Sequence, residues 1–119
     1  MNKKKILVAD DDKGIVEAMQ ILLEDEGFDV ITTSDATAVE GLFSQNPDLV
    51  FLDIWMSGFN GNTICKQLKA SDSTRNVPII IFSANQDTRQ IAADCGADDF
   101  LAKPFEITDL LQIVRKYTN

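Results

Sequence analysis

The chain has 119 residues, 45% hydrophobic and 25% charged, with 19 Asp and Glu against 11 Lys and Arg, a formal charge of −8 and no histidine. That length fits one domain over residues 1–119 with its own core, and the acidity argues against nucleic acid or an anionic membrane as a direct partner. Without imidazole there is no Ser-His-Asp or Cys-His mechanism and no His-ligated metal, so any metal site must be built from oxygen.

The first apolar run, Ile6, Leu7, Val8 and Ala9, is continuous, as expected of a strand buried on both faces. Lys3, Lys4 and Lys5 precede it, and it runs straight into Asp10, Asp11 and Asp12, which a signal peptide would not do. Ile15, Ala18, Met19 and Leu22 then fall at i, i+3, i+4 and i+7 on one helix face, with Gly27 as the stop. A second strand, of mixed polarity, is predicted around Phe28 to Thr33. A second helix carries Val39, Leu42 and Phe43 and ends before Pro47. Leu49, Val50, Phe51 and Leu52 form the third strand. Ile64 and Leu68 mark the third helix, with Asn62 as its candidate cap. Ile79, Ile80, Ile81 and Phe82 form the fourth strand. Ile91, Ala92 and Cys95 mark a helix stopped at Gly96. A mixed-polarity fifth strand runs from Asp99 to Ala102, and Ile107, Leu110, Leu111 and Val114 mark the last helix. No run approaches the ~20 apolar residues of a membrane helix. Cys65 and Cys95 have no C-x-x-C spacing and read as separate thiols in a reducing cytoplasm.

Strands alternating with helices imply right-handed crossovers and an α/β fold: a five-stranded parallel sheet, order 2-1-3-4-5, with five helices on both faces. The order reverses between strands one and three, and ligands in such sheets bind at the carboxyl ends of the strands beside that switch point. The residues at those ends are Asp10, Asp11 and Asp12 after the first strand, Asp53 after the third, Ser83 after the fourth, and Lys103 and Pro104 after the fifth. Singly, each has an ordinary reading: Asp12 as a helix cap, Ser83 as a turn hydroxyl, Lys103 as a snorkelling surface lysine. Jointly they place four carboxylates and one ammonium on one rim, formally −3. Two carboxylates ~4 Å apart repel by ~4 kcal/mol at an effective dielectric of 20. Oxygen-only ligands suit Mg²⁺. A metal, a hydroxyl and an ammonium around a carboxylate form a cage for a phosphoryl group, with Asp53 as either a further ligand or the nucleophile.

These segments resemble the receiver domain of bacterial two-component response regulators, in its single-domain, chemotaxis-regulator-like form, over essentially the whole chain. The matching pieces are I-L-V-A-D-D-D (6–12), P-D-L-V-F-L-D (47–53), M-S-G-F-N-G (56–61), P-I-I-I-F-S-A (78–84) and G-A-D-D-F-L-A-K-P-F (96–105). The resemblance implies that Asp53 accepts a phosphoryl group from a phosphohistidine on a sensor histidine kinase or a histidine phosphotransfer protein. It implies Mg²⁺ held by Asp10, Asp11, Asp53 and the backbone carbonyl of Trp55, with Asp11 a direct ligand. Ser83 is then the switch hydroxyl, Lys103 the lysine that pairs with the phosphoryl, and Phe100 the aromatic switch, and Pro104 follows a cis peptide bond. The implied output is a changed surface on the fourth helix, fifth strand and fifth helix that controls a downstream protein target. The chain would be a cytoplasmic monomer or phosphorylation-dependent dimer, not an enzyme beyond its own phosphoryl chemistry.

The sequence departs from the family where Ser57 replaces a customary proline after Met56, at the bulky Trp55, and in a short 83–103 interval. Trp55 leads to the expectation of slow dephosphorylation. Competing readings are a receiver-like adaptor that is never phosphorylated, and a Mg²⁺-dependent aspartyl-phosphate phosphatase of the haloacid dehalogenase type. The latter needs an Asp where Trp55 stands. A flavodoxin-like electron carrier fits poorly, because the acidic triplet would repel a flavin phosphate. The last predicted helix ends close to Asn119, which leaves open a stand-alone regulator or a piece of a longer one.

Overall fold

A computed structural model describes residues 3–56, 59–84 and 87–118, without the side chain of Phe59. The main sheet contains β1 (Lys5–Ala9), β2 (Asp29–Thr33), β3 (Leu49–Asp53), β6 (Ile79–Ser83) and β7 (Asp99–Ala102), all parallel, in the order β2-β1-β3-β6-β7. Counting only these five gives the 2-1-3-4-5 order that the sequence implies. The remaining strands, β4 (Trp55–Met56) and β5 (Phe59–Asn60), form a small antiparallel ribbon that the apolar pattern does not announce. The helices are α1 (Lys13–Asp25), α2 (Val39–Leu42), α3 (Gly61–Ala70), α4 (Thr88–Cys95) and α5 (Ile107–Thr118).

The period-2 geometry of strands splits the core into two layers. Ile6 and Val8 of β1, Leu49 and Phe51 of β3, and Ile80 and Phe82 of β6 face Met19 and Leu23 of α1 and Leu110 and Val114 of α5. Their neighbours Leu7, Ala9, Val50, Leu52, Ile79 and Ile81 face Val39 of α2, Cys65 and Leu68 of α3, and Ala92 and Cys95 of α4. All ten residues of β3 and β6 are buried, which accounts for their unbroken apolar runs up to the terminal Asp53 and Ser83. The edge strands β2 and β7 are only partly buried and carry the mixed polarity expected of them.

Two details differ from the sequence reading. The second helix is a single α-turn flanked by 3₁₀ turns at Ala36–Ala38 and Phe43–Gln45. Gly41 lies in the middle of it, and Asn46, at φ 59°, turns the chain out before Pro47. The cap of α3 is Asn60, whose Oδ1 accepts from the Asn62 backbone N–H at 2.8 Å; Asn62 is itself helical. Gly61 decides this register. A Cβ there would lie 2.2 Å from the Asp53 carbonyl oxygen, and the Gly61 N–H donates to the Ile54 carbonyl at 2.6 Å. The helix must therefore begin where the chain passes the end of β3, and only glycine allows that approach. No helix among the described residues is long and apolar enough to cross a membrane.

Candidate phosphoacceptor and metal site

The carboxyl ends of β1, β3, β6 and β7 frame an open cleft of about 380 Å³ lined by Asp10, Asp11, Asp12, Asp53, Trp55, Ser83, Ala84 and Lys103. Its residues come from the strand ends that the switch-point argument selects. Asp12 has the structural role: its side chain caps α1, accepting from Gly14 N–H at 3.0 Å and Ile15 N–H at 3.2 Å. Asp10 is 1% exposed, and its Oδ1 accepts from the Asp12 N–H at 2.9 Å. Asp53 is 6% exposed, while Asp11 is open to solvent. Carboxylate oxygens of Asp10, Asp11 and Asp53 all lie within 4.8 Å of one another.

Lys103 provides the cation. Its ammonium is 2.5 Å from Asp10 Oδ2 and 3.7 Å from Asp53 Oδ1. It also lies 4.5 Å from the centre of the Phe82 ring, a cation–π contact that no sequence motif signals. The Lys103–Pro104 bond is cis. One ammonium does not balance the cluster. Burial, then the neighbouring Asp10 carboxylate, pushes the Asp53 carboxyl up to about 7, against the opposing effect of Lys103. The Trp55 N–H, 3.4 Å from Asp53 Oδ1, donates a hydrogen bond that also favours the charged form. Three clustered carboxylates with oxygen donors only, one of them held above its ordinary range, form a donor set that suits a hard divalent cation.

Ser83 ends β6 with 2% exposure, and its carbonyl accepts from the Lys103 N–H at 2.9 Å and from Thr88 Oγ1 at 3.4 Å. Thr88 is the first residue of α4, so the strand end at the cleft is bonded directly to the start of that helix. Phe100 stands apart from the cleft on β7, half-buried, with the Arg89 guanidinium of α4 5.5 Å from its ring centre. The Trp55 side chain is 60% exposed at the cleft's edge. The structure thus brings Asp10, Asp11, Asp53, Ser83 and Lys103 together, with Trp55 beside them, and places Phe100 behind α4. Ser57, where the sequence lacks the customary proline, lies outside the described residues.

A scan of family models matches the response regulator receiver domain over residues 6–115. The DNA-binding response regulator MtrA of Mycobacterium tuberculosis is 38% identical over 116 residues, covering 95% of this chain and 50% of that protein. Among solved structures, the receiver domain of a Pseudomonas aeruginosa sensor histidine kinase, with a magnesium ion coordinated in its active site cleft, aligns with TM-score 0.87 at 27% identity over 98% of each chain. Response regulator TrrA of Thermotoga maritima, in complex with Mg²⁺ and BeF, aligns with TM-score 0.85 at 31% identity over 96% of this chain and 98% of that one. The chain belongs to the response regulator receiver domain family of two-component signalling systems. It spans about half the length of MtrA. The expectation of no nucleic-acid partner therefore rests on the charge of this domain alone, since MtrA is named as a DNA-binding protein.

Proposed function

We propose that the chain is a phosphorylation-activated switch that takes a phosphoryl group from a partner's phosphohistidine onto Asp53. The observation that carries this reading is the charge imbalance around Asp53: a buried carboxyl facing Asp10 and Asp11, with Lys103 3.7 Å away as its cation. An Asp53 carboxylate oxygen attacks the phosphorus, the P–N bond breaks, and the imidazole of the partner leaves. These 119 residues contain no histidine, so a phosphohistidine donor has to lie outside them, on a sensor kinase or a histidine phosphotransfer protein. Asp10, Asp11, Asp53 and the Trp55 carbonyl would hold Mg²⁺, which when bound neutralises carboxylate and phosphoryl oxygens. Lys103 orients the phosphoryl, exchanging its Asp10 contact for a more highly charged acceptor. The Ser83 hydroxyl donates to another phosphoryl oxygen.

Phosphorylation adds about one negative charge and three acceptor oxygens at Asp53. Lys103 and Ser83 follow the new charge. The hydrogen bond between the Ser83 carbonyl and Thr88 Oγ1 passes that movement to α4, and the Arg89–Phe100 contact joins α4 to β7. The surface of α4, β7 and α5 then presents its active form to a downstream protein in the cytoplasm, as a population shift between two states.

The test is incubation with Mg²⁺ and acetyl phosphate, or with phosphorylated histidine kinases, followed by intact mass. One phosphoryl adduct is expected on the native chain and none on Asp53→Asn. A native chain that takes up no phosphoryl from any of these donors would sink the proposal.

A further inference from the structure

Cys65 and Cys95 are thirty residues apart in sequence, and the fold places them side by side. Cys65 lies on α3 with 0% exposure, and Cys95 ends α4 with 3%. The Cys65 thiol donates to the Cys95 carbonyl oxygen at 3.5 Å, and the Cys95 thiol to the Ala92 carbonyl at 3.5 Å. Each thiol also shifts the other's ionisation, so the two side chains interact directly. Small buried thiols often serve only as packing. Here the Cys65 thiol lies against Cys95 on a different helix, and neither residue is used at the Asp53 cleft.

The pair is also chemically unequal. The neighbouring Cys65 thiol brings the Cys95 thiol down to about 7 against the effect of burial, while Cys95 and burial push Cys65 up. Of the two, Cys95 is the thiol that ionises more readily, and the thiolate is the reactive form. Access comes from the helix end. Gly96, exposed and at φ 81°, follows Cys95 directly, and the last turn of an eight-residue helix opens at far lower cost than the whole domain.

We propose that Cys65 and Cys95 form a redox-active dithiol that a hydroperoxide converts to an intramolecular disulfide linking α3 to the end of α4. The Cys95 thiolate attacks a peroxide oxygen, the O–O bond breaks, and the leaving oxygen takes a proton as alcohol or water. Cys95 becomes a sulfenic acid. The Cys65 sulfur then attacks the Cys95 sulfur. The S–S bond forms, the S–O bond breaks, and hydroxide leaves as water with the Cys65 proton. In sum, two thiols lose two electrons and one hydroperoxide is reduced to an alcohol and water. The bridge joins α4, whose first residue is bonded to Ser83, to a helix on the same core layer. The proposal does not depend on phosphorylation.

The experiment treats the purified chain with hydrogen peroxide at near-neutral pH, quenches it, unfolds it and labels free thiols with a maleimide before intact mass and unreduced peptide mapping. The expected result is joint loss of both thiols, a Cys65–Cys95 cross-linked peptide, and full recovery on reduction. Cys65→Ser, verified folded by circular dichroism, is expected to leave Cys95 as a sulfenic acid that dimedone traps. If that variant does not fold, the cross-linked peptide of the native chain decides alone. Full maleimide labelling after peroxide, conversion only to sulfinic or sulfonic acids, or disulfides only between chains would each overturn the assignment.

Discussion

The lysine–aspartate clusters around Lys69 and Lys103 lie at opposite ends of the sheet and are built to different rules. At the amino end of β6, Lys69 sits 2.7 Å from Asp98 Oδ2. The lysine also donates to the Arg75 carbonyl at 2.9 Å and the Val77 carbonyl at 3.0 Å, while Asp98 accepts from the Ile79 N–H at 2.8 Å. One positive charge meets one negative charge, and the surrounding backbone groups are bonded. At the carboxyl end, Lys103 meets Asp10 and Asp53, with Asp11 nearby, and Asp53 is pushed up to about 7. A balanced cluster holds loops in place. An unbalanced one leaves the site in need of a cation or a proton, and readiness for chemistry lies in that imbalance.

Substitutions that abolish the contrast should rank by how rigid the affected neighbours are. The largest effect is expected from Gly61→Ala, because the new Cβ would meet the Asp53 carbonyl and not a movable side chain. We expect a loss of about 2–4 kcal/mol in urea unfolding, with distortion of the cleft. Lys69→Met removes the cation of the balanced cluster and leaves Asp98 and two carbonyls short of a donor, at a cost of about 1–3 kcal/mol by the same measurement.

Asp53→Asn is expected to act in the opposite direction. In the metal-free native chain Asp53 holds a proton between about pH 4 and 7 that the unfolded chain releases. Its contribution to stability is therefore complete below its unfolded value and is lost as pH rises through about 7. Asp53→Asn should flatten that decline and make the metal-free chain more stable at neutral pH by ~1 kcal/mol. Saturating Mg²⁺ should do the same for the native chain and much less for the variant, and thermal melts at several pH values with and without Mg²⁺ would show it. A native chain equally stable from pH 5 to pH 8 without metal would contradict the charge-imbalance account. The smallest effect is reserved for Trp55→Asn, which should leave stability nearly unchanged and release phosphate from phosphorylated Asp53 several-fold faster. Unchanged phosphate loss would remove Trp55 from any role in shielding the phosphoryl.

The strands were legible because their chemistry is local. Four apolar residues followed by Asp53 read as a doubly buried strand that ends at a polar rim. Parallel topology then gathers Asp10, Asp53, Ser83 and Lys103 without further information. Properties that depend on contacts made after folding were hidden. Asn62 reads as the cap of α3 in the sequence, and Asn60 takes that role because of the fit of Gly61 against β3. The resting preference of Lys103 for Asp10 over Asp53, and its position over Phe82, depend on side-chain placement within one rim. The two cysteines looked unrelated for the same reason: the adjacency of α3 and α4 is a fact of the fold, not of spacing.

The division of the core into two layers has an evolutionary consequence. Because successive residues of β1, β3 and β6 point to opposite sides, the sheet works as a watertight bulkhead between two compartments. A change of volume at Val50 must be absorbed by the compartment of Leu68 and Ala92, and one at Phe51 by that of Met19 and Leu110. Substitutions that rescue one another should therefore arise within a compartment and seldom across it, even between adjacent residues of the same strand. The helices of one compartment can then diverge to suit new partners while the other compartment keeps its inherited fit.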